Sequence, residues 1–156
     1  MDKKIQVSRP IKFRAWDKYN KKWIDRVLAG CNSDGADYVC NLVWNDEVGD
    51  WMHFDEGCGD IVQYTGLKDR NGKEIYEGDI LKWYDRTLSW YRNPDKTSYS
   101  QIIDVAVFSD GSFRTRKYRE LLINLCGTKN FNFLKISEIE VIGNIYETPS
   151  LLEDTP

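Results

Sequence analysis

The sequence predicts a mainly β fold, and three features of its 156 residues carry that prediction. Aromatic residues make up 13% of the chain, and such residues favour strands and half-buried surfaces. Short runs of alternating apolar and polar side chains recur, as they do in half-buried strands. Turn-forming pairs such as Asn71-Gly72 and Asp110-Gly111 separate these runs. The pattern is typical of a barrel or sandwich, and the length suits either one domain or one small barrel with an appendage, with a sizeable core.

Residues 1–62 are predicted to form a β-rich region that contains a hairpin. After a loose polar start over residues 1–9, side chains alternate in polarity from Ile11 to Trp16. A turn at 17–20 then returns the chain through Lys22-Trp23-Ile24. Further along, the sequence predicts a loop at 30–35, strands at 38–44 and 51–54, and a glycine-rich break at 57–60.

Residues 63–147 are predicted to form a small barrel, followed by a flexible tail over 148–156. Strands are predicted at 80–84, 101–108, 112–115 and 139–146, with an exposed loop at 87–100 and an apolar, aromatic segment at 131–134. Residues 119–125 are either a short helix or a strand. The face of 101–108 that carries Ile103, Val105 and Val107 is predicted to be apolar.

Two turns in this region are expected to be structural. Asn71 and Gly72 both accept positive φ angles, so they are predicted to form a two-residue type I′ hairpin turn. Gly78 and Asp79 precede the strand at 80–84. A catalytic role for Asp79 is the alternative, but a short carboxylate at a turn more commonly accepts backbone hydrogen bonds.

Three stretches of the sequence resemble one protein family. The stretch QYTGLKDRNGKEIYEGDILKW, which begins at Gln63, is similar to the signature of the YopX family of phage and prophage proteins. IKFRAWD from Ile11 and IEVIGNIYE from Ile139 are similar to its opening and closing segments. The resemblance implies a small SH3-like β-barrel carried by phage genomes, with no established activity and no binding residues to transfer.

Composition narrows the classes of protein to consider. No apolar run approaches the roughly 20 residues of a membrane span, and no signal-peptide core is present, so a soluble protein of the bacterial cytoplasm is expected.

The cysteines are Cys31, Cys40, Cys58 and Cys126, without a C-x-x-C pair, and reduced thiols are the simplest interpretation. A zinc site from Cys31, Cys40, His53 and Cys58 is the less favoured alternative because the spacings are wide. No metal or other cofactor is predicted.

Charge is divided sharply in the first 60 residues. Residues 1–30 hold nine Lys or Arg and three Asp or Glu, whereas residues 31–60 hold eight Asp or Glu and no Lys or Arg. The two parts either neutralise each other within one fold or meet between subunits, where complementary charge would steer association. The acidic part is also a conceivable site for Ca²⁺ or Mg²⁺, although EF-hand spacing is absent.

Two clusters combine cations with aromatic rings and are candidates for a nucleic-acid or partner surface. Their residues are Lys12, Arg14, Trp16, Lys22 and Trp23 in the first cluster, and Arg114, Arg116, Lys117 and Arg119 in the second. In the first cluster, a cation and an indole on one strand face are suited to clamping a base and a phosphate. The alternative is that the rings anchor a hydrophobic core and the cations form its solvent-exposed face. The acidic pI of about 5.3 also weighs against nonspecific nucleic-acid binding.

The sequence therefore favours a non-enzymatic binding or assembly module of phage origin that associates with itself. Its partner is expected to be a second copy or a host or phage protein, and no membrane contact is expected. A nucleic-acid-binding regulator of phage genes is the alternative. No catalytic constellation is recognisable around His53, the one histidine, or elsewhere.

Overall fold

The computed structural model describes residues 10–31, 40–85, 100–126 and 139–153. The strands of the described residues are β1 (Phe13–Asp17), β2 (Lys22–Ile24), β3 (Val27–Cys31), β4 (Cys40–Asn45), β5 (Asp50–His53), β6 (Gly59–Lys68), β7 (Glu74–Tyr76), β8 (Asp79–Asp85), β9 (Ser100–Ser109), β10 (Ser112–Thr115) and β11 (Glu140–Asn144). One α-helix, α1 (Leu122–Cys126), and a 3₁₀ helix, Pro149–Leu152, complete the described elements. The mainly β prediction is confirmed, whereas the SH3-like form of the barrel stays a prediction.

Several predicted segments fall outside the described residues. They are the loose start at 1–9, the later part of the loop at 30–35, the beginning of the strand at 38–44, most of the loop at 87–100, the apolar segment at 131–134 and the last residues of the tail. The chain divides into two compact units, Met1–Gly66 (unit 1) and Leu67–Pro156 (unit 2). Strand β6 runs across the boundary expected between residues 62 and 63.

Unit 1 builds its core from two sets of antiparallel strands. Strand β1 lies between β2 and β6, and β4 lies between β3 and β5. Alternation along β1 buries Ala15, which packs in one cluster with Val43 of β4 and Phe54. The predicted hairpin of 11–24 and the predicted strand at 51–54 are confirmed in outline.

Two hairpin turns of unit 1 are built alike. The turn between β1 and β2 begins after Asp17, whose carboxylate accepts the backbone N–H of Tyr19 and of Asn20. The turn between β4 and β5 begins after Asn45, whose side-chain oxygen likewise accepts two backbone N–H groups. Each loop ends in a left-handed residue, Lys21 with φ 50° in the first and Gly49 with φ 71° in the second. A side-chain acceptor at the start of each loop thus fixes the direction of both hairpins.

The hairpin between β6 and β7 differs from the predicted type I′ turn. Asp69 and Lys73 close a longer loop, with the Asp69 N–H donating to the Lys73 carbonyl over 2.8 Å. The Gly72 N–H donates to the Asp69 carbonyl, and Gly72 has φ 82°, whereas Asn71 does not have a positive φ. This is a type I turn followed by a left-handed glycine, so the predicted type I′ geometry at Asn71-Gly72 is wrong. The type I′ signature lies at Asp110-Gly111, where both φ angles are positive and Ser109 pairs with Ser112.

This geometry gives the two residues of the Asn71-Gly72 pair unequal importance. Gly72→Val forces a β-branched residue to a positive φ and is expected to lower the free energy of unfolding by about 1–3 kcal/mol. Asn71→Val keeps an ordinary backbone conformation and should change it by no more than about 0.5 kcal/mol. Thermal or urea unfolding of both variants measures the difference. Equal costs would contradict the loop conformation described above.

Unit 2 centres on the sheet β10-β9-β8-β11. Its core holds Leu81 and Trp83 of β8, with Ala106 of β9 and Leu122 of α1. On β9, therefore, the face of Ile102 and Ala106 packs on this cluster, rather than the face predicted from Ile103, Val105 and Val107. Val105 is nevertheless buried, since it pairs with Ile80 on the other face of the same sheet. The segment 119–125, left open between helix and strand, contains most of α1.

Close contacts with β11 continue into the first part of the predicted tail at 148–156. The Asn144 N–H donates to Thr148 Oγ1 over 3.1 Å, and the 3₁₀ helix Pro149–Leu152 follows. A Cβ on Gly143 would lie 2.0 Å from Thr148 Oγ1 and 2.9 Å from a methyl carbon of Leu151. Only glycine lets the segment 148–152 pack this closely against β11. Residues 154–156 lie outside the described part of the chain.

Candidate binding cleft

A cleft of about 510 Å³ opens on unit 1. Its walls come from the β1–β2 turn, the segment that links β2 to β3, the β4–β5 turn and the end of β5. The lining residues used below are Asp17, Tyr19, Lys22, Trp23, Asp25, Arg26, Trp44, Asp46, Glu47 and Met52. The volume falls in the usual range of ligand sites, about 300–1,000 Å³. We call this feature the unit 1 cleft.

Asp17 is held rigidly at one end of the unit 1 cleft. Besides the two backbone N–H groups described above, its Oδ2 accepts a hydrogen bond from the Asn20 side-chain amide over 2.7 Å. Burial on its own would raise the pKa of Asp17, but these hydrogen bonds and the positive charge of Lys22 outweigh it and hold the pKa below the ordinary value of 3.8. The carboxylate is therefore negatively charged at neutral pH.

Arg26 covers the aromatic wall of the same cleft. Its guanidinium carbon lies 4.1 Å from the ring centre of Trp44 and 5.6 Å from that of Trp51. The two indoles meet edge to face at 5.6 Å, and the backbone N–H of Trp44 donates to the backbone carbonyl of Arg26 over 3.0 Å. A cation stacked on indole is stabilised by the ring quadrupole, so Arg26 is held against Trp44 in the lining of the cleft.

The rim of the unit 1 cleft carries negatively charged side chains that form no ion pair among the described residues. Asp25, Asp46 and Glu47 are exposed, and their carboxylates accept no hydrogen bond and form no ion pair among the described residues. With Asp17 they give the lining four carboxylates against the two cations Lys22 and Arg26. The cleft is thus net acidic although both charge segments of the sequence contribute to it, and a cationic ligand would be attracted to it.

The structure only partly matches the first basic–aromatic cluster predicted from the sequence. Lys12 Nζ lies 5.3 Å from the ring centre of Tyr64, and the Arg14 guanidinium lies 3.9 Å from that of Trp23. Trp16 is only 9% exposed and meets Trp23 edge to face at 5.1 Å. Trp16 therefore acts as a packed core residue, and Arg14 already covers a ring face of Trp23. The clamp for a base and a phosphate is not preformed here, and Lys22 and Trp23 instead line the unit 1 cleft.

The second basic cluster splits into a tied pair and an exposed pair. Arg119 forms an ion pair with Asp110 and donates to Ser109 Oγ, while Arg114 Nη1 donates to the Arg119 carbonyl over 3.2 Å. Arg116 and Lys117 are exposed, and neither forms an ion pair within the part of the chain that the structure describes. Only these last two cations are free to meet a charged partner.

A buried carboxylate that the sequence analysis missed positions this exposed pair. Asp104 of β9 is 3% exposed, and its Oδ2 accepts the N–H groups of Lys117 and Tyr118 over 2.8 and 3.0 Å. Tyr118 remains 45% exposed, with Lys117 Nζ 5.3 Å from its ring centre and Trp83 edge to face at 6.2 Å. We call Arg116, Lys117 and Tyr118 the basic loop. Because 13 residues separate Asp104 from Lys117, no local sequence signal could have revealed this anchor.

Two buried carboxylates in the stretch that begins at Gln63, those of Asp69 and Asp79, also have structural roles. Asp79 is 2% exposed and accepts the Tyr76 N–H over 2.8 Å, as the turn interpretation predicts. Gly78, with φ 84°, donates its N–H to the Ala106 carbonyl and accepts the Ile145 N–H, so this turn joins three parts of unit 2. Asp69 serves a wider network, since it accepts the N–H groups of Asn71, Lys73 and Val141.

The zinc alternative gains no support from the described residues, in which no group of three or more His, Cys, Asp or Glu side chains has the proximity for a metal site. His53 is exposed on β5, and Cys58 Sγ lies 3.5 Å from Asp55 Oδ1. Cys31 and Cys40 are opposite each other in the β3–β4 register. In unit 2, burial raises the pKa of Cys126 to about 11, and the charge of Asp69 adds to the effect, so this thiol stays neutral.

No helix in the described ranges is both long enough and apolar enough to cross a membrane.

Among solved structures, the crystal structure of protein EF1440 from Enterococcus faecalis is 31% identical to this chain, with a TM-score of 0.61 and coverage of 93% of this chain and 99% of that one. The crystal structure of protein yopX from Bacillus subtilis is 20% identical, with a TM-score of 0.51 and coverage of 93% and 98%. No curated protein matches the chain. A family model described as YopX protein matches residues 12–153, which include the three stretches singled out in the sequence except Ile11, and the chain therefore belongs to the YopX family.

Proposed function

We propose that this protein is a non-enzymatic binding and assembly module of phage origin, that it associates with itself, and that it binds through the unit 1 cleft. The observation that carries the proposal is the combination of a stacked aromatic wall with three rim carboxylates that have no partner among the described residues. Such a site offers burial and charge to a partner, which is what a binding surface requires.

The roles of the buried carboxylates support a non-enzymatic interpretation. Asp69, Asp79 and Asp104 each accept backbone N–H groups that hold a turn or loop in place. These side chains are the groups in which burial would otherwise suggest acid–base chemistry. Since these carboxylates accept hydrogen bonds that maintain the fold, we seek the protein's activity on its exposed surfaces. We place that activity in the cytoplasm of the bacterial host, with a second copy or a host or phage protein as partner.

Self-association is expected to weaken with salt. The apolar part of the contact, represented by Tyr19 at 75% exposed and Met52 at 45%, resists salt, whereas the charged rim does not. Light scattering at micromolar concentration should therefore give a mass above that of the 18.3 kDa monomer in about 0.1 M salt and partial dissociation in about 1 M salt, where the Debye length falls to about 3 Å. A monomer under both conditions would overturn self-association.

A nucleic-acid-binding regulator is the second candidate, and the basic loop is the observation that favours it. Arg116 and Lys117 precede Tyr118, whose ring is exposed and lies 5.3 Å from Lys117 Nζ. Single strands bind by stacking bases on such rings beside cations. Trp83, in contact with Tyr118, would report binding by fluorescence quenching. Titration with single-stranded DNA tests this function: quenching that Lys117→Glu abolishes would support it, and unchanged fluorescence at low salt would reject it.

A further inference from the structure

The protein carries two exposed surfaces of opposite character, one on each unit. The unit 1 cleft is net acidic and has aromatic walls, whereas the basic loop of unit 2 presents two cations beside a tyrosine ring. Taking self-association from the proposed function, we propose that the basic loop of one copy docks into the unit 1 cleft of a second copy.

The basic loop is prepared for docking by its anchor. Hydrogen bonds from the Lys117 and Tyr118 N–H groups to the buried Asp104, and from the Arg116 N–H to the Val105 carbonyl, fix all three backbone positions. A preorganised loop loses little conformational freedom on binding. In addition, Arg116 and Lys117 form no ion pair among the described residues, so no such pair has to break when the loop binds.

The unit 1 cleft offers matching chemistry. Asp46 and Glu47 on the β4–β5 turn and Asp25 before β3 supply carboxylates from separate walls, so a cation entering between them meets negative charge on more than one side. Arg26 already stacks on Trp44, so the carboxylates, rather than that indole, are the groups that attract the incoming cations. The volume of about 510 Å³ is sufficient for a tyrosine ring and one cationic side chain together.

The geometry of this contact sets the form of the assembly. Cleft and loop are different surfaces, so the interface is heterologous, and each copy uses one surface to receive and the other to donate. Such contacts produce a closed ring or an open chain, depending on the rotation between neighbours.

Charge reversal on each side separately tests the docking. Arg116→Glu with Lys117→Glu removes the donor surface, and Asp46→Lys with Glu47→Lys removes the receptor surface. These side chains are exposed, so both variants should fold, which circular dichroism verifies. Each variant alone should be monomeric by light scattering, with association weakened at least tenfold. Matched controls are the exposed Lys73→Glu in unit 2 and Glu153→Lys near the C-terminus, which should associate as the parent does.

Mixing distinguishes docking from a general effect of charge. In an equimolar mixture of the two reversed variants, each loop of one variant meets a cleft of opposite charge on the other, so association should return in assemblies that contain both variants. A chain that carries all four substitutions should recover self-association because both charges are exchanged. If the parent associates but the reversed variants associate equally well, or if their mixture stays monomeric, the docking is overturned while self-association stands. A monomeric parent overturns both.

Discussion

Asp69→Ala is expected to lower the free energy of unfolding by about 3–4 kcal/mol, because three backbone N–H groups lose the carboxylate that accepts their hydrogen bonds. Asp69 is 8% exposed, so water cannot readily replace the carboxylate. Two of its hydrogen bonds shape the β6–β7 loop, and the third reaches Val141 of β11, 72 residues away. The substitution thus weakens both a local turn and the closure of unit 2. Urea denaturation followed by tryptophan fluorescence measures the loss.

The control is Lys73→Ala, an exposed side chain on the same loop, which should change stability by no more than about 0.5 kcal/mol. A second measurement uses Cys126, whose pKa is raised to about 11 by burial and, to a lesser extent, by the charge of Asp69. In Asp69→Asn the thiol pKa should fall, though it should stay above its ordinary value because burial is the larger cause. Stability of Asp69→Ala equal to that of Lys73→Ala would show that the network does not hold the two segments together.

Gly59→Ala should cost about 3–5 kcal/mol or prevent unit 1 from folding, since steric overlap and backbone strain act together. A Cβ at this position would lie 1.8 Å from the Trp16 carbonyl oxygen, which is backbone and cannot move aside without disturbing β1. Gly59 also has φ 149°, outside the range that alanine adopts readily. It pairs with Asp17, so the change would displace the strand that supports one end of the unit 1 cleft.

Gly49→Ala in the same unit separates the two causes of that cost. Gly49 has φ 71°, but a Cβ there meets no atom within 4 Å, so only the backbone strain remains. We expect a loss of about 1 kcal/mol for Gly49→Ala. Comparable melting temperatures for the two variants would contradict the close approach of Gly59 to Trp16.

Local patterns were sufficient to predict many elements of this fold. The strand at residues 11–16, the turn that begins at Asp17 and the structural role of Asp79 all depend on neighbours a few residues apart. The Asn71-Gly72 turn was predicted with the wrong geometry because the Asp69 carboxylate, which also binds the distant Val141, favours a longer loop. Sequence alone contains no signal for that distant contact.

The candidate site was less accessible to prediction for the same reason. Lys22 and Trp23 were singled out and line the unit 1 cleft, but the rim carboxylates and Arg26 come from segments that only the fold brings together. Trp16 was assigned to a possible binding surface, yet it is buried, because strand alternation does not tell which face another layer covers. The Asp104 anchor of the basic loop likewise depends on a contact between β9 and the turn after β10.

The most direct test of the unit 1 cleft as the binding surface is hydrogen–deuterium exchange, measured by mass spectrometry at protein concentrations below and above the midpoint of association. On association we expect slower exchange in peptides that cover residues 17–26, 44–54 and 116–118, and unchanged exchange over residues 139–153. Exchange over 17–26 and 44–54 that stays the same while the protein assembles would contradict a binding role for the cleft.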